Sequence, residues 1–236
     1  MSLTDYYSEL DGQIRISPQQ ASRFAKEVAG DFNPIHDPDA RRFCVPGDLL
    51  FALVLAHQGL RQRMQFRFAG MVGDGVSLYF PNVPADEIHV RDADGKEYLS
   101  VACAGAHSTD AAQIEALTRG YVAFSGQTFP HILAPLMEQH QVMLNPDRPL
   151  VIYESMTIDL DHLDFSEPRL ELLDSRLELD GKRGDVRLEF RLVADGKTVG
   201  RGDKSMVLSG LRAYESESIQ KLVDDYARRK SATGHD

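Results

Sequence analysis

The stretch Gly30-Asp31-Phe32-Asn33-Pro34-Ile35-His36 sets a carboxylate, an amide and an imidazole close together in the chain. Three readings suit it: a metal loop, an acid and base acting together, or plain helix-stop punctuation around a packed histidine. Asp31, Asn33, Ile35, Asp37 and Asp39 alternate as at the start of a calcium loop. The sixth place of that loop needs Gly and holds His36, however, and the twelfth needs a bidentate Glu and holds Arg42. His36 has no thiolate or second histidine at zinc-ligand spacing, so no metal site is expected. Helix-stop punctuation accounts for Gly30 and Pro34 but leaves the concentration of acid, amide and imidazole in one turn unexplained.

The elements that must position these residues are readable on both sides. Ser17 as N-cap, Pro18 and Gln20 form a capping box, and Ala21, Phe24, Ala25 and Val28 recur at helical spacing. Gly30 can end that helix, and Asn33, preceding a proline, is pushed away from helical angles. A second helix begins near Pro46-Gly47-Asp48 and runs through an unbroken apolar stretch from Leu49 to Ala56, so it belongs at the centre of a fold. Strands are expected at Gly75–Phe80, Glu87–Arg91 and Tyr98–Ser108, with a turn at Asp94-Gly95. The second half repeats the order: a polar helical start at Ala111–Leu117, an apolar segment opening with Ser125-Gly126, then strands near Leu150–Asp159, Arg169–Leu179, Asp185–Val193 and Thr198–Leu208. Ala93-Asp94-Gly95-Lys96 is echoed by Ala194-Asp195-Gly196-Lys197. A last amphipathic helix carries Ile219, Leu222, Val223 and Tyr226 on one stripe, and the chain from Lys230 onward should fray.

Two buried helices, each wrapped by an antiparallel sheet, make an α+β double hotdog. The expected division is 1–110 for a first hotdog carrying the Asp–His turn, 111–213 for a degenerate second one, and 214–236 for a C-terminal helix and tail.

Composition narrows the function. The 236 residues carry 26 Lys and Arg against 36 Asp and Glu, a net charge of −10 that repels phosphate backbones and anionic lipid, so neither nucleic acid nor membrane is expected as a partner. The polar, acidic N-terminus is unlike a signal peptide, and a cytoplasmic address is expected. Cys44 and Cys103 are too far apart for a disulfide framework. No Walker loop, dinucleotide fingerprint or Gly-x-Ser-x-Gly elbow occurs, and the sequence calls for no cofactor. His131 and His140 have no acid at useful spacing, so no second site stands out.

Phe24-Ala25, Gly30-Asp31-x-Asn33-Pro34-Ile35-His36 and Ala40 resemble the hydratase 2 motif of the MaoC-like (R)-specific enoyl-CoA hydratases and dehydratases, with weaker continuity through Gly47 and Leu49. The resemblance, to a divergent branch of that family, implies a hotdog enzyme acting on 2-enoyl or 3-hydroxyacyl thioesters of CoA or acyl-carrier protein. It implies Asp31 and His36 as the catalytic pair on one water, and Gly47 as the backbone donor to the thioester oxygen. On a regular helix, side chains five apart would diverge by about 140°, and the Asn33-Pro34 break is what could turn both onto one water, with Asn33 pinning the turn. Where the family carries His-Gly-Met-Leu, Pro46-Gly47-Asp48-Leu49 stands here, and its serine three residues on is Ala52. Asp48 thus sets a carboxylate beside the expected oxyanion, competing for the same positive field. The segment from His36 to Gly47 is also several residues shorter. A non-catalytic acyl-thioester binder and a hotdog thioesterase are the rival readings. One active site per chain is expected, in a monomeric pseudo-dimer or a homodimer.

Overall fold

The structure, a computed structural model, describes residues 2–81, 83–146 and 148–232. The expected fraying of the last residues therefore falls, for 233–236, outside the described residues. Strands β1 (Ser8–Leu10) and β2 (Gln13–Arg15) form a small hairpin, unforeseen because each is short. Helix α1 (Pro18–Arg23) opens with the expected capping box: Ser17 Oγ accepts from the Gln20 N–H, and Gln20 Oε1 accepts from the Ser17 N–H. The helix then widens into a π-helical turn, Phe24–Ala29, and Gly30 ends it in the left-handed conformation at φ 63°.

Helix α2 (Gly47–Gln58) is buried from Asp48 through Leu55, as an all-round apolar sequence demands. Around it run β3 (Leu60–Phe68), β4 (Ser77–Tyr79), β5 (Glu87–Arg91) and β6 (Glu97–Ser108). β3 was not expected, although Met64 and Phe66 are buried between exposed Arg63, Gln65 and Arg67, the period-2 mark of a half-buried strand.

In the second half, α3 (Ala111–Gly126) continues through a π-helical turn, Phe129–Leu133, into α4 (Ala134–Gln139). The Ser125-Gly126 pair, read in sequence as the opening of a buried helix, instead closes a long one. Strand β7 (Val142–Met143) precedes the four long strands β8 (Val151–Leu160), β9 (Arg169–Asp180), β10 (Arg183–Ala194) and β11 (Lys197–Ser209). Asp180-Gly181 and Asp195-Gly196 make the turns, with φ of 57° at Gly181 and 49° and 73° at the second pair. Strand β12 (Arg212–Ala213) pairs with β7, and α5 (Ser216–Ser231) closes the chain.

The fold is α+β, a double hotdog whose two antiparallel sheets join edge to edge: the order β1-β2-β4-β5-β6-β3-β8-β11-β10-β9 is one ten-stranded sheet. The seam is the β3–β8 pairing, Arg63 opposite Asp159 through Arg67 opposite Ser155. One apolar cluster packs α2 and α3 between the first half's strands and the near end of the second, and another fills the space under α4 and α5.

Candidate functional site

The Asp31 turn is built by its own backbone. The Asp31 N–H donates to the Ala25 carbonyl at 2.8 Å, the long-range closure a π-helical turn leaves. Asp31 Oδ1 then accepts from the Asn33 N–H at 2.9 Å, and Asn33 Oδ1 from the Ile35 N–H at 3.2 Å, so Asn33 caps the short 3₁₀ turn Pro34–His36 and pins the local backbone. The result brings His36 Nε2 to 3.6 Å from Asp31 Oδ2. His36 Nδ1 lies 2.7 Å from the Cys44 carbonyl, which can only accept; Nδ1 therefore carries the proton, and Nε2 of the neutral ring turns a lone pair toward Asp31. Burial disfavours the charged ring, but Asp31, the Cys44 carbonyl and the more distant Asp48 outweigh it and hold the His36 pKa above the usual histidine value.

Both residues line a cavity of about 630 Å³ whose wall is mostly apolar. Gly47 and Asp48 line it as well, at the first turn of α2, which has no side-chain cap. A Cβ on Gly47 would meet the Phe68 ring at 3.3 Å and the Tyr153 ring at 3.5 Å, so the backbone there is in close contact with two aromatic faces. Asp48 is 5% exposed. Burial raises its pKa, against the pull of Lys204 and of hydrogen bonds from Ser125 and Tyr153.

Those last three partners escaped the sequence reading. Lys204, on β11, is 1% exposed; its Nζ donates to Ser125 Oγ at 2.7 Å and sits 3.8 Å from the centre of the Tyr153 ring. Tyr153, on β8, donates its hydroxyl to Asp48 Oδ1 at 3.2 Å, lies 3.2 Å from Ser125 Oγ and is hydrogen-bonded to Tyr121 of α3. Burial lowers the Lys204 pKa to about 8, although Asp48 and Asp31 both act to raise it. The signals were present but faint: Lys204 shares strand parity with buried Met206 and Leu208, and Tyr121 and Ser125 are four apart on one helix face. Two acids, an imidazole and an ammonium thus share one cavity, Asp31 and His36 from the first half and Lys204 from the second.

The Asp31 turn is also braced from outside. A Cβ on Gly126 would lie 1.6 Å from the Ala29 carbonyl oxygen, so α3 reaches the turn only because that residue is glycine. The Tyr226 hydroxyl of α5 lies 3.0 Å from the Gly30 carbonyl and 2.9 Å from that of Gly126, tying the two together. Lys26 and Arg229 both grip Asp37, at 2.7 and 2.6 Å, and hold its carboxyl below the usual range despite partial burial. No group of three or more His, Cys, Asp or Glu that could hold a metal occurs among the described residues, and no helix among them is long and apolar enough to cross a membrane.

Among solved structures, the chain is similar to a MaoC-like dehydratase at 12% identity and TM-score 0.41, over 86% of this chain and 99% of that one. It is similar to the acyl-CoA thioesterase II TesB2 of Mycobacterium marinum at 10% identity and TM-score 0.42, over 92% and 99%. A third is the bifunctional dehydratase-cyclase domain in ambruticin biosynthesis, at 10% identity and TM-score 0.41, over 93% and 99%. A search of curated proteins finds no match. The family model described as "Protein of unknown function (DUF3581)" matches residues 1–217, and the chain belongs to that family.

Proposed function

We propose that the protein is a hydratase or dehydratase of 2-enoyl and 3-hydroxyacyl thioesters, carried by CoA or acyl-carrier protein. The observation that carries this reading is the facing of His36 Nε2 and Asp31 Oδ2 at 3.6 Å inside a largely apolar cavity. With His36 neutral, both atoms are acceptors, and one water can donate a proton to each. In hydration, His36 Nε2 takes the water's proton as its oxygen bonds to the β-carbon. The electrons of the double bond move toward the thioester, and the imidazolium returns its proton to the α-carbon. Dehydration is the reverse. The apolar wall takes the acyl chain, and the N–H of Gly47 faces the thioester oxygen.

The test is loss of the conjugated thioester absorbance when short and long 2-enoyl-CoAs are added. Turnover is expected with the wild type and a fall of about 10²–10⁴-fold with Asp31→Asn; wild-type rates from that variant, or no turnover at any chain length, reject the reading. Asp48 favours thioester hydrolysis as a second reading, since a buried carboxylate in the cavity is equally placed to attack a carbonyl or activate water. Free thiol released from saturated acyl-CoA by the wild type and not by Asp48→Asn distinguishes it.

A further inference from the structure

A carboxylate at the first turn of α2 would repel the negative charge that any acyl-thioester reaction builds on the carbonyl oxygen. The cavity contains the answer to that conflict. Asp48 is bound on one side by the Tyr153 hydroxyl and through Ser125 to the Lys204 ammonium, so its charge is spent within the wall. Lys204 is not exhausted by this arrangement. It has three N–H donors, Ser125 is its one hydrogen-bond acceptor among the described residues, and the Tyr153 ring covers one face. An ammonium so buried is costly to keep unless a further acceptor meets it. Since Lys204 lines the same cavity as Asp31, His36 and Gly47, that acceptor can be a ligand oxygen.

We infer that Lys204 is the electrophile of the site: its ammonium binds the thioester carbonyl oxygen of an acyl thioester and stabilises the enolate formed on it, with Asp48 as counter-ion and Ser125 and Tyr153 as positioning residues. This rests on the hydratase reading and deepens it. The step balances: electrons displaced from the α,β double bond onto the carbonyl oxygen are met by a cation already in place. They return to the α-carbon when His36 gives its proton back, and Lys204 keeps all three protons throughout. Removing one hydrogen-bond donor from a developing oxyanion typically costs about 10²–10³-fold in kcat.

The groups acting on Lys204 are Asp48 from α2, Ser125 from α3, Tyr153 from β8 and, farther off, Asp31 of the turn, with Tyr121 of α3 joined to them through Tyr153. The tyrosines are held neutral by burial well beyond neutral pH, so an alkaline limb near pH 8 in kcat/KM belongs to the lysine. Ser125→Ala should move that limb.

The deciding probe is cinnamoyl-CoA, whose absorbance shifts to the red when its carbonyl is polarised. The wild type and Asp31→Asn should both shift it, the shift fading as the pH rises through about 8. Lys204→Met should bind it without a shift and lose about 10²–10³-fold in kcat with 2-enoyl-CoA, and Lys204→Arg should restore part of the shift. A full red shift in Lys204→Met, or none in the wild type, overturns the inference. Should Lys204→Met not fold, the pH dependence of the wild-type shift and the Lys204→Arg spectrum decide instead, a pH-independent shift counting against it. An absence of enoyl turnover together with a lysine-dependent red shift would overturn the hydratase reading and leave the electrophile standing.

Discussion

At His36 the same contacts set the protonation of the ring and the stability that protonation lends. Its pKa in the folded chain lies above the ordinary value because Asp31 and the Cys44 carbonyl outweigh burial. A raised folded-state pKa means that protonation favours the fold. That contribution is complete below the ordinary histidine pKa and is lost as the pH rises through the folded value. The stability gap between wild type and His36→Gln, followed by urea titration, should therefore narrow as the pH climbs through neutrality. On the proposed mechanism activity should move the opposite way, because a general base must be neutral: kcat/KM for hydration is expected to rise through the same pH range, below the alkaline limb of the lysine, and a rate that falls there removes His36 as the base. Asp31, Asn33 and His36 could be read from sequence because one local turn holds them and its Asn-Pro chemistry is written in the chain. Lys204, Ser125 and Tyr153 could not, since their meeting depends on which strands pair and which helix crosses them.

Among the elements, α3 does most to keep the Asp31 turn in place. Its last residue, Gly126, lies against the Ala29 carbonyl, and any side chain there must push α3 and the turn apart. Gly126→Ala is expected to cost about 2–3 kcal/mol in thermal or denaturant unfolding and to lower hydration activity further than that loss explains; unchanged stability would show that the two segments part freely. Tyr226→Phe removes the hydroxyl that meets the Gly30 and Gly126 carbonyls and should cost about 1–2 kcal/mol, with faster amide exchange concentrated at residues 30–33. The apolar run of α2 and the capping box of α1 announced those helices correctly. The π-helical turn after α1 did not announce itself, because widening a helix by one residue leaves the same hydrophobic spacing in sequence. The reading of Ser125-Gly126 as a helix start went astray for a related reason: Gly126 is there for a close approach, and a glycine at a crossing looks the same in sequence as one at a boundary.

On the scale of the whole chain, both halves line the one cavity. The first supplies Asp31, His36, Gly47 and Asp48, the second Ser125, Tyr153 and Lys204, and the C-terminal helix α5 adds Tyr226 and Arg229, all around one cavity. Calorimetry with a saturated acyl-CoA should accordingly give one ligand per chain, and two equivalent sites would contradict this division. The turns at Asp94-Gly95, Asp180-Gly181 and Asp195-Gly196 were visible in sequence, as were the long strands on either side of the last two. The joining of the two sheets was not, because it depends on β3, a strand with alternating arginines that has the look of an exposed surface until β8 covers its edge.

That seam also bears on how the protein is made. In a nascent chain the edge of β3 that β8 covers has no partner until β8 has been synthesised. At ordinary elongation rates the stretch from the end of β6 to the end of β8 takes about 3–10 s to make. Open strand edges invite pairing with other chains, and Arg63, Gln65 and Arg67 on the exposed face of β3 are the kind of residues that discourage it. The arginines of β3 thus have a use in the nascent first half as well as on the surface of the finished molecule.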